Sequence, residues 1–100
     1  MIKHVVMWKI RDELDGKSKN EICREIKALL ETLPGKIPLI RHYEVGINAI
    51  PSDASDDLIL ISEFDSAEDL SAYAVHPDHV KVAEVIARAK LTRNAVDYQV

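Results

Sequence analysis

One cysteine, Cys23, is all the thiol chemistry available to this 100-residue chain. A lone cysteine excludes an intramolecular disulfide and fits a reducing interior. The stretch "HPDH" at residues 76–79 offers two imidazoles and Asp78, but no second His-x-x-His and no Cys-x-x-Cys accompanies it. Zinc needs three or four converging ligands, so the sequence gives no reason to expect a metal or any organic cofactor. Runs of like charge are also missing. With 13 Lys and Arg against 17 Asp and Glu, the net charge is −4. That balance argues against broad electrostatic binding of nucleic acid or an anionic membrane. No apolar run approaches the roughly 20 residues of a membrane-spanning helix. In the opening "MIKHVVMWKI", Lys3, His4 and Lys9 interrupt the apolar residues, so it reads as neither a span nor a secretory leader. Repeats, low-complexity segments and an interdomain linker are absent too. One domain over residues 1–100, in the cytoplasm, is the expectation.

What is present is ordinary for a soluble globular protein, 47% hydrophobic and 30% charged. Residues 2–10, "IKHVVMWKI", are rich in β-branched and large apolar side chains and predict a strand. Alternation puts His4, Val6 and Trp8 on one face, Val5 and Met7 on the other. "SKNE" reads as a capping box, Ser18 at the N-cap and Glu21 reaching back. Ile22, Ile26, Leu29, Leu30 and Leu33 then fall on one helical stripe until "PGKIP" turns the chain. Residues 39–48 predict a second strand, with Gly46 marking a bulge or a close approach. "PSDASDD" is an aperiodic polar loop, expected to be mobile. Residues 58–64, "LILISEF", predict a third strand with Leu58, Leu60 and Ser62 opposite Ile59 and Ile61. Ser66 caps a short helix that runs through Tyr73. A further helix starts at Pro77, with Val80, Ala83, Ile86 and Ala87 as its apolar stripe, and continues to about Lys90. "LTRNAVDYQV" closes the chain as a fourth strand.

The order β-α-β-β-α-β, its second helical region in two pieces, predicts an α+β, ferredoxin-like domain: a four-stranded antiparallel sheet with helices on one face. Val5, Met7, Ile59 and Ile61 then lie on the uncovered face. An apolar sheet face does not stay in water, and the same face of a second copy is its simplest cover. A homodimer is expected.

Three segments, "KHVVMWKI", "FDSAEDLSAYAVHPDH" and "RNAVDYQV", together resemble the stress-responsive α/β-barrel domain family, within the dimeric α+β barrel superfamily. The resemblance spans nearly the whole chain in order. It implies that two sheets pack into a dimeric α+β barrel. Many members have no assigned activity. A plant branch includes polyketide cyclases, which close a poly-β-keto thioester by intramolecular aldol condensation without a cofactor. Those enzymes use a histidine on the first strand and a Tyr and a His in "YxxHPxH". The resemblance therefore implies catalytic roles for His4, Tyr73 and His79.

Each of these residues also has a plainer reading. His4 is a buried histidine satisfied by a hydrogen bond. Tyr73 is an amphipathic helix residue with its ring packed. His79 sits in the first turn of the last helix, facing solvent; the positive end of that helix favours a neutral ring either way. As a site, Tyr73 donates to an oxyanion, His79 moves a proton next to a carbonyl, and His4 orients one of them. His76, just before Pro77, reads mainly as a capping residue, and Cys23 as a small packing residue rather than a nucleophile. The expected pocket lies between sheet and helices, walled by Val6, Trp8, Ile22, Cys23, Ile26, Leu60 and Ser62, with His76 at its edge. It suits a hydrophobic, oxygenated small molecule. The alternative is a non-catalytic dimeric stress-response protein whose polar cluster only stabilises the fold.

Overall fold

The computed structural model describes residues 1–100. Strand β1 (Ile2–Ile10) leads into a miniature hairpin, β2 (Glu13–Leu14) and β3 (Lys17–Ser18), and then helix α1 (Lys19–Glu31). Strands β4 (His42–Ile47) and β5 (Leu58–Phe64) follow, then helices α2 (Ala67–Val75) and α3 (Pro77–Ala89), and finally β6 (Lys90–Gln99). The long strands form one antiparallel sheet in the order β4-β5-β1-β6. This is the ferredoxin-like α+β arrangement, with every helix on one face.

Pairing sorts the side chains by face. Val5 pairs with Ile61 and Val96, and Met7 with Ile59 and Asn94. These residues, with Tyr98 opposite Lys3, make the face that no helix covers. Met7 is 37% exposed, Tyr98 43% and Val96 61%. His4, Val6 and Trp8 point the other way and are buried, as are Leu58, Leu60 and Ser62. Beneath the helices they meet Ile22, Ile26 and Leu30 of α1 and Val82 and Ile86 of α3 in one continuous core.

The local signals in the sequence mostly operate as expected. Ser18 Oγ accepts from the Glu21 N–H, and Glu21 reaches back to the Ser18 N–H, completing the capping box. Ser66 Oγ accepts from the Asp69 N–H. Gly46 lies directly opposite Ile59 in an unbroken register; a Cβ there would meet Ile59 Cγ2 at 3.1 Å. It is a close approach and not a bulge. The real register shift lies between β1 and β6, at Lys9/Ile10.

Several expectations are corrected. The second strand covers Val45 and its neighbours but begins at His42, because Leu39 and Ile40 belong to the turn that follows a short 3₁₀ turn, Leu33–Gly35. The buried stripe of α3 is Val82, Ile86 and Ala89, while Val80 and Ala87 are exposed. Val82 and Ile86, two of its larger apolar residues, join the core beneath α3, and Ala89 closes the same stripe. The hairpin between β2 and β3 was not anticipated. Asp15 (φ 53°) and Gly16 (φ 80°) are both left-handed, the conformation that an Asp-Gly pair supplies to a tight hairpin. The polar loop is tied down at its far end. The Asp57 N–H donates to the Trp8 carbonyl at 2.8 Å, and Asp57 Oδ2 accepts from the Ile10 N–H at 2.7 Å.

Candidate functional site

His4 sits in the middle of β1, facing the helices, next to central strand β5 on one side and β6 on the other. Its β6 partner in the register is Asp97. Paired residues project to the same face, so the Asp97 carboxylate meets the imidazole and accepts from His4 Nδ1. With Nδ1 committed, Nε2 is the nitrogen left for other partners. The Ser62 hydroxyl donates to the His4 carbonyl at 3.2 Å, tying β5 to the same residue from below.

Tyr73 comes from the buried side of α2. Its ring lies 4.9 Å from Phe64, 4.4 Å from His79 and 6.5 Å from His4, centroid to centroid. Its hydroxyl hydrogen-bonds the hydroxyl of Tyr43, on β4, at 2.6 Å. Burial holds both phenols protonated: Tyr73 is pushed up to about 12, and Tyr43 further still, helped by Tyr73 beside it.

The break between α2 and α3 positions His79. His76 ends α2 and caps α3, its Nδ1 accepting from the Asp78 N–H at 3.1 Å. Pro77 opens the new helix, and His79 swings back under α2, where its Nδ1 lies 2.9 Å from the Ala74 carbonyl. A carbonyl only accepts, so Nδ1 carries the hydrogen and Nε2 keeps its lone pair. Burial lowers the His79 pKa below the usual 6.5, partly opposed by the Ala74 bond; His4, Arg93 and His76 push the same way as burial. The ring is neutral near pH 7.

His4 and His79 line a common cavity of about 200 Å³ between the sheet and α3. Val6, Trp8, Leu30, Leu60, Val82, Ala83 and Ile86 supply apolar walls, and Lys90 and Arg93 stand at its edge. Of the walls expected from sequence, Val6, Trp8 and Leu60 line this cavity. Ile22 and Ile26 do not: they border a separate cleft under α1, beside Leu14 and Val85. Cys23 faces a third, polar groove with Lys19 and Asp57, and burial raises its thiol to about 11, so it stays protonated. Ser62 is fully buried beneath His4, and His76 is engaged in its cap. Tyr73 packs against His79 without lining the cavity. No group of three or more His, Cys, Asp or Glu side chains is gathered around a common point.

Four residues of this neighbourhood carried no usable sequence signal. The meeting of Asp97 with His4 depends on the β1/β6 register. Tyr43 lies 30 positions from Tyr73. Lys90 and Arg93, at the junction of α3 and β6, belong to no motif.

An Arabidopsis thaliana protein, stress-response A/B barrel domain-containing protein DABB1, is 32% identical over 102 residues, covering 98% of this chain. The chain spans less than half the length of the curated plant relatives it matches, 30% of one and 46% of the other. Among solved structures, a dimeric ferredoxin-like protein of unknown function from Bacteroides fragilis is 37% identical with a TM-score of 0.87, covering 99% of this chain and 95% of that one. A hydroxynitrile lyase from Passiflora edulis, 18% identical, has a TM-score of 0.82, covering 99% and 92%; that likeness is one of fold alone. The stress responsive A/B barrel domain model matches residues 2–100, all but the first position of the chain described above. The chain belongs to the stress responsive A/B barrel domain family.

Proposed function

We propose that the chain works as a homodimer, with a small-molecule pocket in each subunit that carries cofactor-free proton transfer next to a carbonyl, as in an aldol-type cyclase or a related lyase. One observation carries this reading: two imidazoles, from β1 and α3, border the same apolar cavity, and each has its Nδ1 already engaged. Both therefore present Nε2 as the working nitrogen. His79, neutral and desolvated, takes the proton α to the carbonyl. His4, with both ring nitrogens protonated against the Asp97 carboxylate, gives its Nε2 proton to the carbonyl oxygen as the enol forms and is left neutral, with Nδ1–H still on Asp97. Tyr73 acts here as a positioning residue. Its hydroxyl is occupied by Tyr43, and its ring holds the His79 imidazole in place. This differs from the oxyanion role that the sequence reading expects of it. Arrival in one place of His4, Tyr73 and His79, from three elements, supports the reading.

The homodimer rests on the uncovered face of the sheet and on the dimeric Bacteroides neighbour.

Acetophenone, a small apolar ketone, tests the chemistry. Incubated in D₂O, its methyl protons should exchange faster with the protein than with buffer, and His79→Ala should remove most of the acceleration, about 10²–10⁴-fold for an acid/base residue. No acceleration, with no binding of the ketone either, would sink the catalytic reading.

A second reading has an observation of its own. No fully buried side-chain N or O in the chain lacks a hydrogen-bond partner, so the interior beneath the cluster needs no ligand to satisfy it. That is what a non-catalytic dimeric stress-response protein requires. In that case His4→Ala and Tyr73→Phe cost stability and nothing else.

A further inference from the structure

The cavity has a charged edge that the proton-transfer scheme does not use. Lys90 and Arg93, at the start of β6, both border it. Neither enters any ion pair of the chain, and neither side chain is engaged in a hydrogen bond. No carboxylate lines the cavity. The acid nearest in the strand is Asp97, on the same face as Arg93 but four residues along, roughly 13 Å at the rise of an extended strand, and committed to His4. Arg93 instead pairs in the register with Trp8, one of the cavity's walls. Two free cations in a chain of net charge −4 create a local positive field against the overall sign.

Size narrows the ligand further. An apolar protein cavity of about 150 Å³ holds a benzene ring. The 200 Å³ here leaves room for one ring, or a branched chain of similar bulk, with a short substituent.

From these observations we infer that the ligand is a small carboxylate: an apolar body the size of one ring, seated against Val6, Leu60, Val82 and Ile86, with its carboxylate held at the edge by Arg93 and Lys90. The inference rests on the pocket proposed above and adds the substrate class to it. Arginine's planar fork matches a carboxylate with two parallel N–H···O bonds, which a neutral group of the same shape does not repay. Arg93 is also close enough to His79 to weigh on its protonation, so the anion is held next to the proposed base.

Phenylacetate and its neutral isostere phenylacetamide separate the possibilities when titrated into the dimeric protein by NMR or calorimetry. The wild type should bind the acid about tenfold or more tighter than the amide, the margin of a charge-assisted hydrogen bond. Arg93→Gln and Lys90→Gln should each narrow that ratio by weakening the acid more than the amide, and Ala83→Trp, which fills the cavity, should abolish binding of both. Equal affinity for acid and amide would overturn the carboxylate inference and leave the pocket standing. Undiminished acid binding by Ala83→Trp would overturn it as well, by placing the anion on the surface. Failure of both compounds to bind the wild type would overturn the inference and the pocket together.

Discussion

His79 has a measurable consequence for stability because folding changes its proton affinity. Its pKa is lowered in the folded state, chiefly by burial. Above the usual 6.5, folded and unfolded chains both carry a neutral ring, and the residue imposes no pH dependence. As the pH falls below 6.5, the unfolded chain binds the proton first, so stability is lost until the folded pKa is passed. NMR titration should place the His79 midpoint below 6.5, and His79→Gln should flatten the loss of stability on the acid side of neutrality. A midpoint at or above 6.5 would contradict the burial argument. Removing Arg93, which pushes in the same direction, should raise that midpoint.

The two tyrosines make a test of another kind. Tyr43→Phe leaves the Tyr73 hydroxyl buried without its 2.6 Å partner, at a cost of about 1–3 kcal/mol. Tyr73→Phe does the same in reverse. The double variant removes both polar groups and should cost clearly less than the sum of the singles, as urea denaturation of the four proteins will show. Strict additivity would mean that the hydroxyls do not act as a pair.

Among the elements, α1 depends on its start and β1 on its end. Ser18→Ala removes the acceptor of the capping box and should cost about 1 kcal/mol. Asp57→Ala should cost more, because its carboxylate serves two elements at once. It accepts from the Ile10 N–H at the end of β1 and lies 3.4 Å from Lys19 Nζ at the start of α1; the backbone bond that closes the β4–β5 loop on Trp8 is kept by the variant. Thermal denaturation of the two variants should rank them in that order. The loop containing Asp57 is polar and aperiodic, so its sequence suggested mobility. The tether comes from one carboxylate finding a strand end 47 residues away, which no local pattern announces.

The whole molecule has an unfinished side. Val5, Met7, Ile59, Ile61, Val96 and Tyr98 share the sheet face that no helix covers. Burying such side chains is worth on the order of 1.5–3 kcal/mol each before the costs of association. Ile61→Lys or Met7→Lys should therefore yield monomers or unfolded chain in sedimentation experiments at micromolar concentration. A wild-type protein that sediments as a monomer there would remove the argument for the homodimer.

Strand alternation in residues 2–10 and 58–64, the capping box at Ser18 and the Pro77 helix start were legible because each depends on neighbours within a few positions. So was the face to which His4 points, since side chains alternate along any strand whatever it pairs with. Alternation along single strands also exposed the surplus of apolar residues on the far face. The partners of His4 and Tyr73 were not legible. Asp97 lies 93 positions from His4, and Tyr43 lies 30 from Tyr73. Which residues meet across a sheet is set by register, and register is chosen by the packing of the assembled core rather than by either strand. The same holds for Lys90 and Arg93: only docking of α3 beside β6 makes those two cations the rim of a cavity.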